Sequence, residues 1–447
     1  MLSRISLFVI SAALIPGGAT AHAQTLDSIA RVAVVNNLGV RRSRERERQA
    51  DAAITQARGL FLPSVGIDAR YSEMSGVVNI GDFINPAYAT LNQLTGKNSF
   101  PTNIDATLPF QQETKLRTTV PVFNAALFAN LSAARSTRNL RGAERGAAIR
   151  RLDATSRIAY LDWAKAARAV EIWDATLPVL VENARVSQCL VDAGSATPDA
   201  VLKARAELAD AQQQRAEAVR TRGAALGALD LLLDRAPDEP VPALSEDALP
   251  TAPTVTLADA LASSAKREER EIAVAAIDGA RAQGRAASSA FLPSVGVAVD
   301  YGVQGNGYRL DRNHDVAIAS VVLQWNLFNG GQDGARREAA YAARSDADLQ
   351  RADIERQIAL DVRTSWDAVQ VAREAVGSAS ARLDAARAAF KLVDRRYTEG
   401  LVSRLEWSDA RAQLTAAELN EVVTRYSLAA RGVDLERAAG LRTIPKN

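Results

Sequence analysis

The hexapeptide Phe61-Leu62-Pro63-Ser64-Val65-Gly66 recurs letter for letter as Phe291-Leu292-Pro293-Ser294-Val295-Gly296, and no other feature constrains the fold as strongly. Further landmarks follow in the same order. Val122-Phe123-Asn124 is matched by Leu327-Phe328-Asn329, and Gly194 by Gly400. The first offset is 230 residues and the later two are 205 and 206, so one length change of about 25 residues falls between the first and second landmarks. A length change confined to one loop, with the framework kept, means two structural copies of one unit. The copies are expected over 24–234 and 254–447. Between them lies an extended linker, 235–253, which holds five of the 15 prolines.

The periodicity within each copy changes twice. Thr25 to Gly59 and Leu257 to Ser289 read as helices. Strands follow, expected over 61–72 and 114–123 in the first copy and over 291–304 and 316–328 in the second. Val295, Val297, Val299, Tyr301 and Val303 alternate with Gly296, Ala298, Asp300, Gly302 and Gln304, a period of two. Aromatic residues gather at the strand ends: Phe61, Phe123, Phe291, Trp325 and Phe328. The partner strands are joined by loops at 73–103 and 305–315. The chain then turns helical for more than sixty residues, twice. Ala166, Val170, Trp173, Leu177, Leu180 and Ala184 keep coiled-coil spacing, as do Leu383, Ala386, Phe390, Val393 and Tyr397. Such a helix spans roughly 100 Å at 1.5 Å per residue. Each turns at a glycine, Gly194 or Gly400, and returns as a helix over 198–234 or 404–439. Pro178, inside the first long helix, is expected to kink it.

Two readings of the strands compete. One is the half-buried sheet of a soluble sandwich. The other is a transmembrane barrel, whose mark is alternating segments of about ten residues with aromatic girdles. Four strands cannot close a barrel, and lipid tolerates no open edge, so the membrane reading requires several chains to share one barrel.

Export is expected from the N-terminus. Arg4, an apolar run from Ile5 to Ile15 and the small-x-small site Ala21-His22-Ala23 read as a secretory signal peptide, 1–23, cut before Gln24. The run is too short to span a bilayer. Glutamine after the cut, where a lipoprotein needs cysteine, argues against a lipid anchor. The single cysteine, Cys189, cannot form an internal disulfide. A net charge of +2 argues against a nucleic-acid partner, and the run Arg41 to Arg48 reads as a solvated helix face of mixed sign. Only His22 and His314 could supply imidazole, so neither a catalytic triad nor a histidine metal site is expected, nor any cofactor. The lack of histidine, methionine and cysteine clusters disfavours soft-metal handling.

The duplicated Phe-Leu-Pro-Ser-Val-Gly openers carry a resemblance, together with Trp325-Asn326-Leu327-Phe328-Asn329-Gly330-Gly331, the tip Arg395-Arg396-Tyr397-Thr398-Glu399-Gly400 and its return Leu405-Glu406-Trp407-Ser408-Asp409-Ala410. In this order, twice over, the chain resembles the TolC family of outer-membrane efflux and secretion channels. The resemblance implies an α+β membrane protein. Three chains pool two strands per repeat into one 12-stranded barrel, set on a helical barrel in the periplasm. It implies an exit duct for a tripartite efflux or type I secretion system, not an enzyme. The implied partners are a periplasmic adaptor, docking near Gly194 and Gly400, an inner-membrane pump of RND or ABC type, and outer-membrane lipid. It places Glu406 and Asp409 at the periplasmic gate and Tyr397 among the links that hold the gate shut. The arginine the family carries two residues after the tip glycine is Val402 here, which leaves Asp199 as a candidate substitute partner. The rival reading is a soluble periplasmic coiled-coil scaffold.

Overall fold

The computed structural model describes residues 23–73, 75–76, 78–108, 110–237, 239–244, 248–305 and 315–444. The expected signal peptide, Ala23 apart, lies outside the described residues, as do both histidines and 306–314 of the second loop. The chain forms two compact units. The first comprises Met1–Arg46, Arg141–Ile272 and Arg351–Asn447, and the second Glu47–Leu140 and Ala273–Gln350. Each is built from segments of both sequence copies.

The second unit holds a four-stranded antiparallel sheet in the order β1-β4-β5-β6, with β1 Ser64–Tyr71, β4 Gln112–Phe123, β5 Ser294–Gly305 and β6 Asp315–Gln324. The repeated hexapeptide begins two of these strands later than its alternation suggests. α2 (Leu38–Gly59) and α7 (Glu268–Ser289) each end in the same turn. Phe61 and Leu62 donate their backbone N–H groups to Arg58 and Gly59, as Phe291 and Leu292 do to Ser288 and Ser289. Proline, with no N–H to donate, follows, and the strand starts at the serine. β6 stops at Gln324, short of the expected 328, and Trp325–Asn329 are irregular. The Trp325 indole donates to the Phe291 carbonyl at 3.2 Å instead of extending the ladder. In β4, Pro121 lies past the last residue paired with β1, beside a register shift at Val122, so its missing N–H breaks no bond on that side.

The long first loop is more ordered than its composition suggests. It contains the two-residue strand β2 (Val78–Asn79), which pairs with β3 (Thr107–Leu108) just beyond the loop, and helix α3 (Gly81–Thr95). Asparagine side chains pin it: Asn85 both donates to and accepts from the Ile104 backbone at 2.8 Å, and Asn92 does the same at Phe100 (2.7 and 2.9 Å). Gly81 has no alternative, because a Cβ there would stand 1.8 Å from the Ile104 carbonyl oxygen.

The first unit is helical. The single helix expected over Thr25 to Gly59 is two, α1 (Ala23–Asn36) and α2, broken at Asn37. The Asn37 backbone keeps its helical bonds to Ala33 and Arg41, but its side chain accepts the Gly39 N–H at 2.8 Å, taking that donor out of the ladder, and donates to the Leu232 carbonyl at 3.1 Å. The helix expected over Leu257 to Ser289 also breaks, into α6 (Leu257–Ser263), a short 3-10 turn and α7, with Arg267 extended between them. α4 (Ala125–Asp192) runs on through Pro178 and returns as α5 (Pro198–Leu233). α8 (Gln332–Thr398) returns as α9 (Arg404–Ala439). Ala166, Val170 and Leu180 of the expected seam are buried, and Leu383 meets Leu414 and Ala417, with Phe390 packed against them. The described residues of the proline-rich linker form no α-helix. The linker is also embedded: Leu244 is buried in the main cluster with Tyr160 and Val433, the Tyr160 hydroxyl donates to the Pro242 carbonyl at 2.7 Å, and the Arg373 guanidinium donates to the Pro253 carbonyl at 2.8 Å.

Candidate channel surfaces

Strand register sorts the sheet of the second unit into two chemically distinct faces. Val65, Ile67, Ala69 and Tyr71 share a face with Leu116, Val120, Val297, Val299, Tyr301, Val321 and Leu323. This apolar face is open: Ile67 and Val321 are each 75% exposed. Six charged residues occupy the other face. Arg117 grips Asp300 with two bonds of 2.9 Å and lies 3.3 Å from Asp68. Lys115 lies 2.5 Å from Glu113 and 3.5 Å from Asp300, and Arg70 lies 3.3 Å from Glu113. The ladder therefore carries three positive and three negative groups in one connected network. β6 departs from the alternation, since Val316, Ile318 and Val322 bring apolar side chains to this charged face. Where sheet meets helix, Phe61 and Phe128 stack edge to face at 5.0 Å, and the Arg337 guanidinium lies 4.7 Å from the Phe291 ring centre. An aromatic and arginine border beside an exposed apolar sheet suits a membrane–water boundary.

In the first unit, the two hairpin tips are built alike. Gly194 and Gly400 take left-handed φ values of 72° and 74°. At each, the next residue donates back five positions, Ser195 to Leu190 and Leu401 to Arg396, both at 2.8 Å. This closure satisfies helix-end carbonyls and suits glycine. Beyond Gly400, the Ser403 hydroxyl caps α9 by accepting the Glu406 N–H at 3.2 Å. Trp407 is the hub of this tip. It is 5% exposed, donates to Asp394 at 2.8 Å and packs at a tilt against Tyr397 and Phe390 with ring centres 5.7 and 5.9 Å away.

Against this frame, Glu406 and Asp409 lie exposed one turn apart on α9, and Gln413 donates to Asp409 at 2.7 Å. Tyr397 is used in packing on Trp407. Asp199 is exposed, accepts from the Thr197 hydroxyl and pairs with Lys203 at 3.0 Å, which together hold its carboxyl below the usual range. Among the described residues no bond joins Tyr397 to Asp199 within one chain. The side chains that connect the two hairpins are ones the sequence did not single out. Arg404 lies 3.7 Å from Glu207 of α5, and Arg411 donates to Thr176 of α4 at 2.9 Å while lying over the Phe390 ring. Burial holds the Arg411 guanidinium below its usual range. Their one sequence signal was two arginines seven residues apart on the same stripe of α9 as the buried Trp407 and Leu414.

No group of histidine, cysteine, aspartate and glutamate able to hold a metal ion occurs among the described residues, and no helix there is long and apolar enough to cross a membrane.

The model of the family described as outer membrane efflux protein matches residues 30–235 and 261–441. The chain belongs to this family. The two matched stretches each carry one helix–strand–strand–hairpin copy and leave most of the linker between them. The fold is similar to that of the Campylobacter jejuni CmeC outer membrane channel, with a TM-score of 0.79 and 16% identity over 93% of this chain and 86% of that one. It is also similar to the open state of the Neisseria gonorrhoeae MtrE outer membrane channel (0.75, 20%, 93% and 89%) and to the Vibrio cholerae outer membrane protein VceC (0.77, 18%, 93% and 96%). A comparison with curated protein sequences finds no match. The family is one of outer-membrane exit channels, not of enzymes.

Proposed function

We propose that three copies of this chain share one 12-stranded barrel in the outer membrane, set on a periplasmic helical barrel. The assembly is the passive exit duct of a tripartite efflux or type I secretion system. The observation that carries this reading is the sheet: its apolar face is exposed and its outer strands, β1 and β6, each have one unpaired edge. In lipid an unpaired edge is not tolerated. The strands alternate in direction, so β6 of one copy can meet β1 of the next in the antiparallel sense, and adding copies closes the ring without a mismatch. The start of α8 gives independent support. From Gly334 to Asp353 every residue is exposed except Ala340 and Ala347, which are partly so. A helix covered by so little of its own chain gains little from tertiary packing, and neighbouring copies would supply that cover.

In this reading Glu406 and Asp409 of three copies form the acidic ring of the periplasmic aperture. Tyr397 and Asp199 take part in links around it, and the tips at Gly194 and Gly400 meet the adaptor, behind which an RND or ABC type pump supplies the energy. The signal peptide is cleaved and no lipid is attached. Electron microscopy of the protein extracted from outer membranes in detergent tests the assembly. Threefold particles with a tube well over 100 Å long are expected. Compact monomers recovered without detergent would leave the soluble scaffold as the better reading.

A further inference from the structure

Between the two hairpins of the first unit lies a cleft of about 590 Å³, bounded by α4, α5 and α9. That volume suits a small organic molecule and is far larger than a single water requires. Its walls are mainly apolar: Trp173 and Leu180 come from α4, Ala206 and Ala211 from α5, Leu405 and Leu419 from α9. Three buried polar atoms of residues in this wall have no hydrogen-bond partner: Arg404 Nη1, which has Glu207 within ionic range, and Arg411 Nε and Thr415 Oγ1, which have none. Thr415 is only 5% exposed. Arg411 and Thr415 are one helical turn apart on α9 and line the same cleft. Both atoms can donate a hydrogen bond, and the guanidinium nitrogen can do nothing else. A buried donor left unpaired is costly, so the chemistry missing from this wall is an acceptor.

The acidic residues bordering the cleft do not supply it. Glu207 lies 3.7 Å from Arg404 Nη1, within ionic range of that residue and beyond hydrogen-bond reach. Arg404 precedes Arg411 by seven residues, roughly 10 Å along the helix. Asp210 is exposed, and Lys203 is turned to Asp199.

We propose that this cleft binds an anionic amphiphile, a carboxylate on an acyl or aryl body. The carboxylate accepts from Arg411 and Thr415, and the apolar body lies against Trp173, Leu180 and Leu419. Bound there, the ligand touches both hairpins at once. The inference needs only the first unit, so it stands or falls apart from the trimeric-duct reading.

Equilibrium dialysis of the purified full chain in detergent, with naphthalene-2-carboxylate and decanoate as probes, tests it. Saturable binding of at least one probe near one per chain is expected, about ten-fold or more tighter than the uncharged naphthalene-2-carboxamide or decanamide. Tighter decanoate would assign an acyl ligand, and tighter naphthoate an aryl acid. Thr415→Val keeps the side-chain shape, so the fold should survive while binding weakens several-fold. Arg411→Gln should weaken it about ten-fold or more, and Ala412→Trp, which fills the cleft and leaves both donors, should abolish it. Uptake that follows detergent concentration, equal affinity for acid and amide, or full binding in Ala412→Trp would each overturn the proposal.

Discussion

Among the described residues no ion pair is formed by Glu406 or Asp409, in contrast to other acids of the first unit. Glu207 has Arg404, Asp199 has Lys203 and Glu436 has Arg157, whereas Asp409 is met only by the neutral Gln413. Unneutralised carboxylates repeated by threefold symmetry around an aperture attract and hold cations. The double substitution Glu406→Ala with Asp409→Ala should therefore raise single-channel conductance or relieve block by multivalent cations. Both side chains are exposed and neither bonds to Trp407, so folding should be little affected. Unchanged single-channel behaviour in planar bilayers would remove the two acids from the gate. These residues could be named from sequence only through their distance from a tip glycine. Arg404 and Arg411 could not, because their partners Glu207 and Thr176 lie 197 and 235 positions away and meet them only in the folded hairpins.

At the scale of elements, the sequence was most legible where one local pattern suffices. The doubled Phe-Leu-Pro-Ser-Val-Gly turn, the alternating faces and the tip glycines all follow from backbone geometry. Gly400 illustrates the last: its φ of 74° lies where a Cβ is strained, so Gly400→Ala should cost about 1–2 kcal/mol locally. Hydrogen exchange should show faster opening of the last turn of α8, with the core of the first unit unchanged. Equal protection in both proteins would mean the tip already frays. Less legible were breaks made by distant partners. Asn37 ends α1 with a bond to Leu232, α3 is held by asparagines reaching 8 and 19 residues along the chain, and Arg267 interrupts α6 and α7 because Asp361 and the Ala438 carbonyl hold it at 2.7 and 3.2 Å. The sheet carries a second prediction. Its charged face is balanced, with Arg117 between Asp300 and Asp68, so a barrel with this face inward should discriminate weakly between small ions there. Arg117→Ala leaves Asp68 and Asp300 with less compensation, and the reversal potential under a salt gradient should move toward cation selectivity. No shift would mean that the face does not line the conducting path.

At the scale of the molecule, the first unit is held by arginines from several segments of the chain. Arg150 takes Glu268 in two bonds of 2.7 and 2.8 Å, Arg157 takes Glu436 at 2.6 Å, and Arg267 and Arg437 converge on Asp361 at 2.7 and 3.0 Å. Such groups tie α4, α7, α8 and α9 together, and removing one partner strands the other in a poorly solvated place. Burial alone would raise the Asp361 carboxyl, but Arg437 and Arg267 outweigh it and hold it below the ordinary value. Burial likewise opposes ionisation of Glu269, and its bond to Arg267 overcomes that. Both acids therefore contribute stability above the unfolded pKa, near 4, that is lost as pH falls through their lower folded values. Asp153 runs the other way. Burial raises it despite Arg442 and Arg157, so its contribution is present below the unfolded value and fades as pH rises through the folded one. Asp361→Asn separates these trends. Asp361 is about one-third exposed, so solvent screening limits the loss to about 1–3 kcal/mol at pH 7. The gap from the parent protein should narrow as pH drops from about 5 towards 3, because the parent's carboxylate then protonates too. Urea midpoints followed by tryptophan fluorescence in detergent at several pH values give the comparison. A gap that stays constant to pH 3 would show that Asp361 acts through shape rather than charge, and that the arginine cluster is not what makes this unit acid-sensitive.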